Sequence, residues 1–223
     1  LPTGRTAAPS YAAMPDLWNA GDRLNFAPAY GYATYRVRLL LPDNRRDYAI
    51  RVSSIRTASR LYAGGELLGA SGVPAATAAE AITRNKPYSA PIPLSASGET
   101  ELVVQVSNHK FVSGGINESL YFATAETIEA MDKRNMTYDT MLVSGFLFMA
   151  LYFMGQSFQR KEDFGSLHLS LYFISLALYL ATHSEKLVYD VLPDIPGEAY
   201  NKISTLSALA TMIFSVNYVN SIF

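Results

Sequence analysis

From Gly31 to Leu41 apolar and polar side chains alternate, with Ala33, Tyr35, Val37, Leu39 and Leu41 set against Tyr32, Thr34, Arg36 and Arg38. A period of two predicts a strand with one buried and one wet face. Tyr48 to Ser53 repeats the pattern with Tyr48, Ile50 and Val52 inward. Arg60 to Leu68 reads as a hairpin closed on Gly64-Gly65, because glycine tolerates the positive φ of a tight turn. Glu101 to Ser107 and Ser119 to Ala123 read as further strands. Pro74 to Pro93 is rich in Ala, Thr and Pro and reads as a long loop. Short strands divided by Pro, Gly and Asn predict an antiparallel sandwich over residues 1–126.

The pattern then changes. Thr140 to Gln159, Phe164 to Thr182 and Ile203 to Phe223 contain no Asp, Glu, Lys or Arg. Each has the roughly 20 residues that an α-helix needs to cross a bilayer, whereas a long helix at a water-facing surface carries a charged side. Residues 127–139 read as a polar connector that continues into the first span. Arg160-Lys161-Glu162-Asp163 is a tight loop, so the second span returns antiparallel to the first. The loop 183–202 contains Pro193 and Pro196-Gly197 and leads into the third. Arg160 and Lys161 favour the cytoplasmic side for the tight loop. Lys133 and Arg134 oppose that orientation, and the β module, expected outside, decides it.

Composition sharpens this division. Residues 1–126 hold 12 Lys+Arg and 10 Asp+Glu, and residues 127–223 hold 6 and 9. Neither half is basic enough to suggest a nucleic-acid partner. The absence of cysteine removes disulfides and thiolate metal sites. The start at Leu1 and the end at Phe223 inside an apolar run lead us to expect a leader before the first residue and more protein after the last.

Three segments carry a resemblance in the first half. Met14-Pro15-Asp16-Leu17-Trp18-Asn19, Gly31-Tyr32-Ala33-Thr34-Tyr35-Arg36 and the hairpin Ala58 to Glu66 resemble, in that order, galactose-binding-like jelly rolls of β-galactosidase-type glycosidases. Gly64 stands where that family usually has Asn. Gln105-Val106-Ser107-Asn108-His109-Lys110, followed by Ser113-Gly114-Gly115-Ile116, resembles a segment in the extracellular domain of bacterial seven-transmembrane receptors with diverse intracellular signalling modules (7TMR-DISM). Gly145, Leu151-Tyr152, the basic loop and Leu171-Tyr172-Phe173 are similar to that family's first helical hairpin.

The resemblance implies an all-β jelly-roll sandwich followed by an α-helical transmembrane bundle, cut short after three of seven helices. It further implies a sensor in the bacterial inner membrane, with the β domain (1–126) outside and a cytoplasmic kinase, cyclase or phosphatase beyond Phe223. Such receptors usually signal as dimers, so a homodimer is expected beside the lipid bilayer and a small-molecule or carbohydrate ligand. The alternative is a membrane-tethered carbohydrate-binding or scaffold protein without output. An envelope enzyme with the sandwich as an accessory module is a third reading.

No nucleophile motif or phosphate-binding loop occurs in the chain, so this stretch is expected to be non-enzymatic and to need no cofactor. Related jelly rolls often hold structural calcium, but no Asp-x-Asp run supports such a site. The three histidines, His109, His168 and His183, lie in different segments and do not suggest a metal centre. Ligand binding has better candidates. Sugars are held by aromatic faces and by planar donors, and Trp18, Tyr30, Tyr32, Arg36, Arg60, Asn108, His109 and Lys110 supply both. Each has a structural counterpart. Trp18 can plug the core, Arg36 and Arg38 can form a solvated or salt-bridged face, and Asn108 can satisfy loop backbone at a strand end. His168, within a span, is either a packing residue or a polar relay.

Overall fold

A computed structural model describes residues 11–12, 14–19, 28–41, 46–93, 98–159 and 164–222. The chain divides into two compact units, Leu1–Asp132 and Lys133–Phe223.

In the first unit the described strands are β1 (Asp16–Leu17), β2 (Gly31–Leu40), β3 (Tyr48–Val52), β4 (Ile55–Arg56), β5 (Ala58–Ala63), β6 (Glu66–Ser71), β7 (Tyr88–Ile92), β8 (Glu99–Asn108), β9 (Gly115–Ile116) and β10 (Tyr121–Thr124). Every strand pairing is antiparallel. Two larger sheets, ordered β2-β8-β5-β6 and β10-β3-β7, are accompanied by a small one, β1-β9-β4. Leu61, Leu102, Val104 and Val106 from the first sheet share one core with Ile50, Val52 and Ile92 from the second. That shared interior makes the unit a sandwich, as the alternation predicts. Gly64 and Gly65 take φ of 57° and 91°, the two positive values that a tight hairpin turn between β5 and β6 requires.

Three expectations need correction. Val37, assigned inward, is exposed, because β2 is the edge strand of its sheet and less of the opposing layer covers it. Arg51, assigned to a wet face, is buried in an ion pair with Asp132. The expected loop 74–93 contains β7, which pairs with β3 from Tyr88 opposite Val52 to Ile92 opposite Tyr48. Pro91 disguised this strand: proline cannot donate to a ladder, and β7 tolerates it because it lies on the edge.

The domain boundary also moves. Helix α1 (Ala125–Gln159) begins directly after β10, with the Thr127 amide donating to the Thr124 hydroxyl at 3.4 Å, an N-cap contact. Ile128 is buried and Asp132 pairs with Arg51, so the first two turns of α1 belong to the β unit and the division falls at Asp132 instead of residue 126.

Tyr88 fills the gap left by a missing side chain. A Cβ on Gly69 would stand 2.6 Å from two carbons of the Tyr88 ring. Burial pushes the Tyr88 phenol from 10.0 up to about 12, and the nearby Ser59 side chain offsets only part of that rise. A raised folded-state value means that the native state holds the proton more tightly than the unfolded chain does. The associated stability is complete below pH 10 and is lost as pH climbs toward about 12. A shift of this size corresponds to roughly 2–3 kcal/mol. Urea unfolding across that window is expected to show the loss in wild type and to show much less of it in Tyr88→Phe.

In the second unit α1 continues to Gln159 and is joined by α2 (Phe164–Ala181), α3 (Val188–Val191) and α4 (Gly197–Ile222). The loop Arg160–Asp163 lies outside the described residues. Among those described, α1 and α2 are long and apolar enough to cross a membrane. The helix α4, expected as a third span, is interrupted by Ser204, Ser207, Thr211, Asn217 and Asn220 and starts six residues before Ile203, directly after Pro196.

Polarity in this unit is inverted. Ser166, Ser170, Ser175, Thr182 and Ser207 are buried, while Leu147, Phe148, Leu151, Leu206, Met212 and Val216 are exposed. The Ser170 hydroxyl, 0% exposed, donates to the Ala150 carbonyl at 2.8 Å, and the Thr211 and Ser175 hydroxyls stand 3.2 Å apart while each also reaches a carbonyl of its own helix, Ser207 at 2.8 Å and Tyr172 at 2.9 Å. Phe173 stacks with both Phe146 and Phe153, at 5.8 Å each.

Candidate ligand-binding site

Of the eight candidate residues, Tyr30 is exposed directly before β2, and the other seven fall into two groups within the β unit. Tyr32, Arg36 and Arg60 share the outer face of the four-stranded sheet. On β8, Leu102, Val104 and Val106 enter the core, so Glu101, Val103, Gln105 and Ser107 turn to the opposite face, where all but Glu101 are themselves buried. Register then places Tyr32 beside Ser107, Arg36 beside Val103 and Arg60 beside Gln105. Tyr32 is exposed, whereas Arg36 and Arg60 are half-buried. Arg36 donates to Glu101 at 2.8 Å, and Arg38 pairs with Glu99 at 3.4 Å. Those two carboxylates are therefore already engaged.

Trp18, Asn108, His109 and Lys110 gather at the end of the sandwich where β2 begins and β8 ends. The Trp18 indole N–H donates to the Tyr35 hydroxyl at 2.6 Å, and its ring packs against the core. It also lies across Gly114, where an added Cβ would come 2.6 Å from the ring and 2.5 Å from the Ala29 carbonyl. Glycine is needed there for close approach. Trp18 thus fills the role of a core plug with its donor satisfied.

Asn108 is fully buried. Its amide donates to the Ala29 and Phe111 carbonyls, both at 2.8 Å, and its oxygen accepts from the Phe111 amide at 3.0 Å. The Lys110 amide and the Thr57 hydroxyl approach the same oxygen at 3.4 Å. One side chain therefore organises the whole 108–111 turn. His109 contacts the Ala75 carbonyl through Nε2 at 3.0 Å, and Lys110 is exposed. His168 lies in α2, with Nδ1 buried and without a hydrogen-bond partner among the described residues.

Several neighbours were not singled out in the sequence. Tyr62 lies on the outer sheet face beside Val103, and Thr34 pairs with Gln105. Strand alternation could have found both, since Arg60 and Tyr62 share one parity. Arg56 gave no such signal. Its guanidinium stands 4.8 Å from the centre of the Phe111 ring and donates to Ser113 at 2.5 Å, bracing the same turn from β4.

No family model and no curated protein matches this chain. Among solved structures it is similar to a calcium-binding mutant of Bacteroides uniformis β-glucuronidase 2, at 18% identity and a TM-score of 0.39, over 51% of this chain and 14% of that one. It is also similar to the β-glucuronidase of Ruminococcus gnavus, at 15% identity and a TM-score of 0.40, over 52% of this chain and 23% of that one. The chain thus spans less than a quarter of either structure's length. Scores of this size do not establish a common fold.

Proposed function

We propose that this chain is the sensor and membrane portion of a bacterial signal-transduction receptor of the 7TMR-DISM kind. In this reading a galactose-binding-like jelly roll outside the inner membrane binds a carbohydrate, and the helical unit passes the event to a cytoplasmic output. The chain itself performs no chemistry.

The observation that carries the proposal is the inverted polarity of the second unit. In water, exposing Leu, Phe and Met while burying serine sets the unit against the hydrophobic effect, at about 25 cal/mol per Å² of apolar surface. In lipid the same arrangement costs nothing. Small residues let helices approach closely, and their hydroxyls can bond across the seam, as Ser170 does to Ala150, with the Thr211 and Ser175 hydroxyls also within 3.2 Å of each other. The β unit has the opposite polarity, with an aliphatic core and a charged sheet face. Such a pair of units suits a chain with one part in water and the other in a bilayer. The carbohydrate half of the proposal is supported by the aromatic and guanidinium groups that one sheet face presents in register.

The test is a thermal-shift screen of the full chain in lipid nanodiscs against mono- and disaccharides. A saturable rise in the β unit's melting temperature with at least one sugar is expected. No rise with any sugar at millimolar concentration would overturn the sensor reading.

A further inference from the structure

We infer that one end of the sandwich, bearing Tyr30, Lys110 and Val112, docks on the zwitterionic headgroup surface of a lipid bilayer. This deepens the membrane half of the proposal above and rests on it.

Asn108 organises that end. Its amide holds the Ala29 and Phe111 carbonyls, and Gly31 stands opposite it in the register of β2 and β8. Tyr30 is thereby fixed between Ala29 and Gly31, and Val112 directly follows Phe111. Asn19 adds a hydrogen bond to the Val112 carbonyl at 3.0 Å. On this braced backbone Tyr30 and Val112 are 56% and 72% exposed, and Lys110 is exposed between them. Single exposed apolar side chains are ordinary on a protein surface, so their place in the fold decides what they mean.

Contacts within the β unit fix that place. Ile92 faces Tyr48, and the Thr100 hydroxyl donates to the Pro93 carbonyl at 3.4 Å, so Tyr48 and Glu99 share the far end of the sandwich. Shortly after Val52, the Thr57 amide donates to the Ser107 carbonyl at 2.9 Å, so Val52 and Asn108 share the near end. Helix α1 starts at the far end, where the Ala125 amide donates to the Asp47 carbonyl at 2.9 Å. By Asp132 it has reached Arg51. The helical rise from Ala125 to Asp132 is about 10 Å, and the strand rise from Tyr48 to Arg51 is also about 10 Å. The opening turns of α1 therefore run back along β3 toward the near end. Every residue of β3 is buried, Ala49 and Arg51 on its outer face included, as a covering helix requires. The helix then continues unbroken into the apolar run 140–159. The chain thus leaves the β unit toward its lipid-seeking segment at the end that carries Tyr30, Lys110 and Val112.

Those side chains suit a lipid surface. Tyrosine sets an apolar ring and a hydroxyl at headgroup level. Lysine lays its stem on apolar surface while its ammonium reaches phosphate. The loops at this end, 109–114 and 117–120, contain Lys110 and Glu118 as their Lys, Arg, Asp or Glu residues. Their charges cancel, so the contact does not depend on anionic lipid.

The experiment uses the absence of cysteine from the chain. Val112→Cys, Glu66→Cys and Phe148→Cys each carry one fluorophore in the full chain, held in phosphatidylcholine nanodiscs with a nitroxide at the headgroup or at mid-chain. Glu66 is exposed beside Ala63, which pairs with Leu102, about 20 Å from Asn108 by strand rise. Headgroup nitroxide is expected to quench the label at 112 and to leave the label at 66 bright. Tyr30→Asp combined with Lys110→Glu is expected to abolish the quenching at 112, with an unchanged melting temperature as the check on folding. Equal signals at 112 and 66 overturn this inference, and mid-chain quenching at 148 then leaves the membrane reading standing. A label at 148 that mid-chain nitroxide does not quench overturns both. Quenching at 112 that survives the double substitution overturns the assignment of the contact to Tyr30 and Lys110, and quenching that needs anionic lipid overturns the zwitterionic surface.

Discussion

Replacing Phe148 and Leu151 together with lysine is expected to prevent stable membrane insertion of α1. In the structure these side chains are 74% and 66% exposed and lie near the middle of the apolar run 140–159. If water were their solvent, Phe148→Lys and Leu151→Lys would be neutral or would improve solubility, as substitutions at exposed helix positions usually are. With lipid as the solvent, each lysine at the centre of a span costs about 2.5–3.5 kcal/mol on the insertion scale, and each lost apolar side chain adds several tenths. The pair therefore costs roughly 6 kcal/mol, comparable to the whole stability of a modest domain. Glycosylation-site or protease-protection mapping in membranes would read the insertion directly. Wild type should be protected across residues 140–159 and the double variant should not. A double variant that inserts like wild type, or a wild-type chain that stays monodisperse without detergent, would remove lipid from the account.

Asn108→Ala is expected to cost the β unit about 3–5 kcal/mol. The amide of Asn108 meets the Ala29 and Phe111 carbonyls, and its oxygen meets the Phe111 amide, in a site with no exposure. Truncation leaves those groups buried and unmet, at about 1–3 kcal/mol each with some relief by water. Asn108→Asp is the sharper probe. Its size is nearly unchanged and its oxygens can still accept from Phe111, but it cannot donate to the two carbonyls, and burial penalises its charge. Both variants should lower the midpoint of β-unit unfolding, with Asp giving little rescue over Ala. A midpoint within 1 °C of wild type for either would show that water replaces the side chain without loss.

Much of this fold could be read from alternation alone. The strands around Tyr35, Ile50, Leu61 and Val104 each keep one face in the core, so period two exposes them. The Gly64-Gly65 turn was legible because few other residues accept two consecutive positive φ values. What escaped had a common cause. Tyr88–Ile92 contains a proline that reads as loop, and only the pairing with β3 makes it a strand. Arg51 reads as a wet residue because its counter-charge, Asp132, lies 81 positions away on a helix. The two-residue strands β1, β4 and β9 are shorter than any period. The helical unit was legible as apolar runs, but the serine seam was not, since nothing local in the chain says which side of a helix will meet another helix.

The candidate site was legible by residue type and not by grouping. Tyr32, Arg36 and Arg60 are brought together by register between strands that are distant in the chain. Trp18 and Asn108 have chemistry suited to sugar binding, but their polar atoms are spent inside the protein. A residue's donors identify what it can do, and only packing decides whether they remain available.

Pro91 has a bearing on how copies of this chain can meet. An outermost ladder with open amides invites a stranger's backbone to dock and extend the sheet. On β7 the residue opposite Ala49 offers no amide hydrogen on its free side, so that flank is a poor template for amyloid-like growth or strand-swapped pairing. A docking strand would find one donor missing there, which weakens that flank as a place for copies of the sandwich to join.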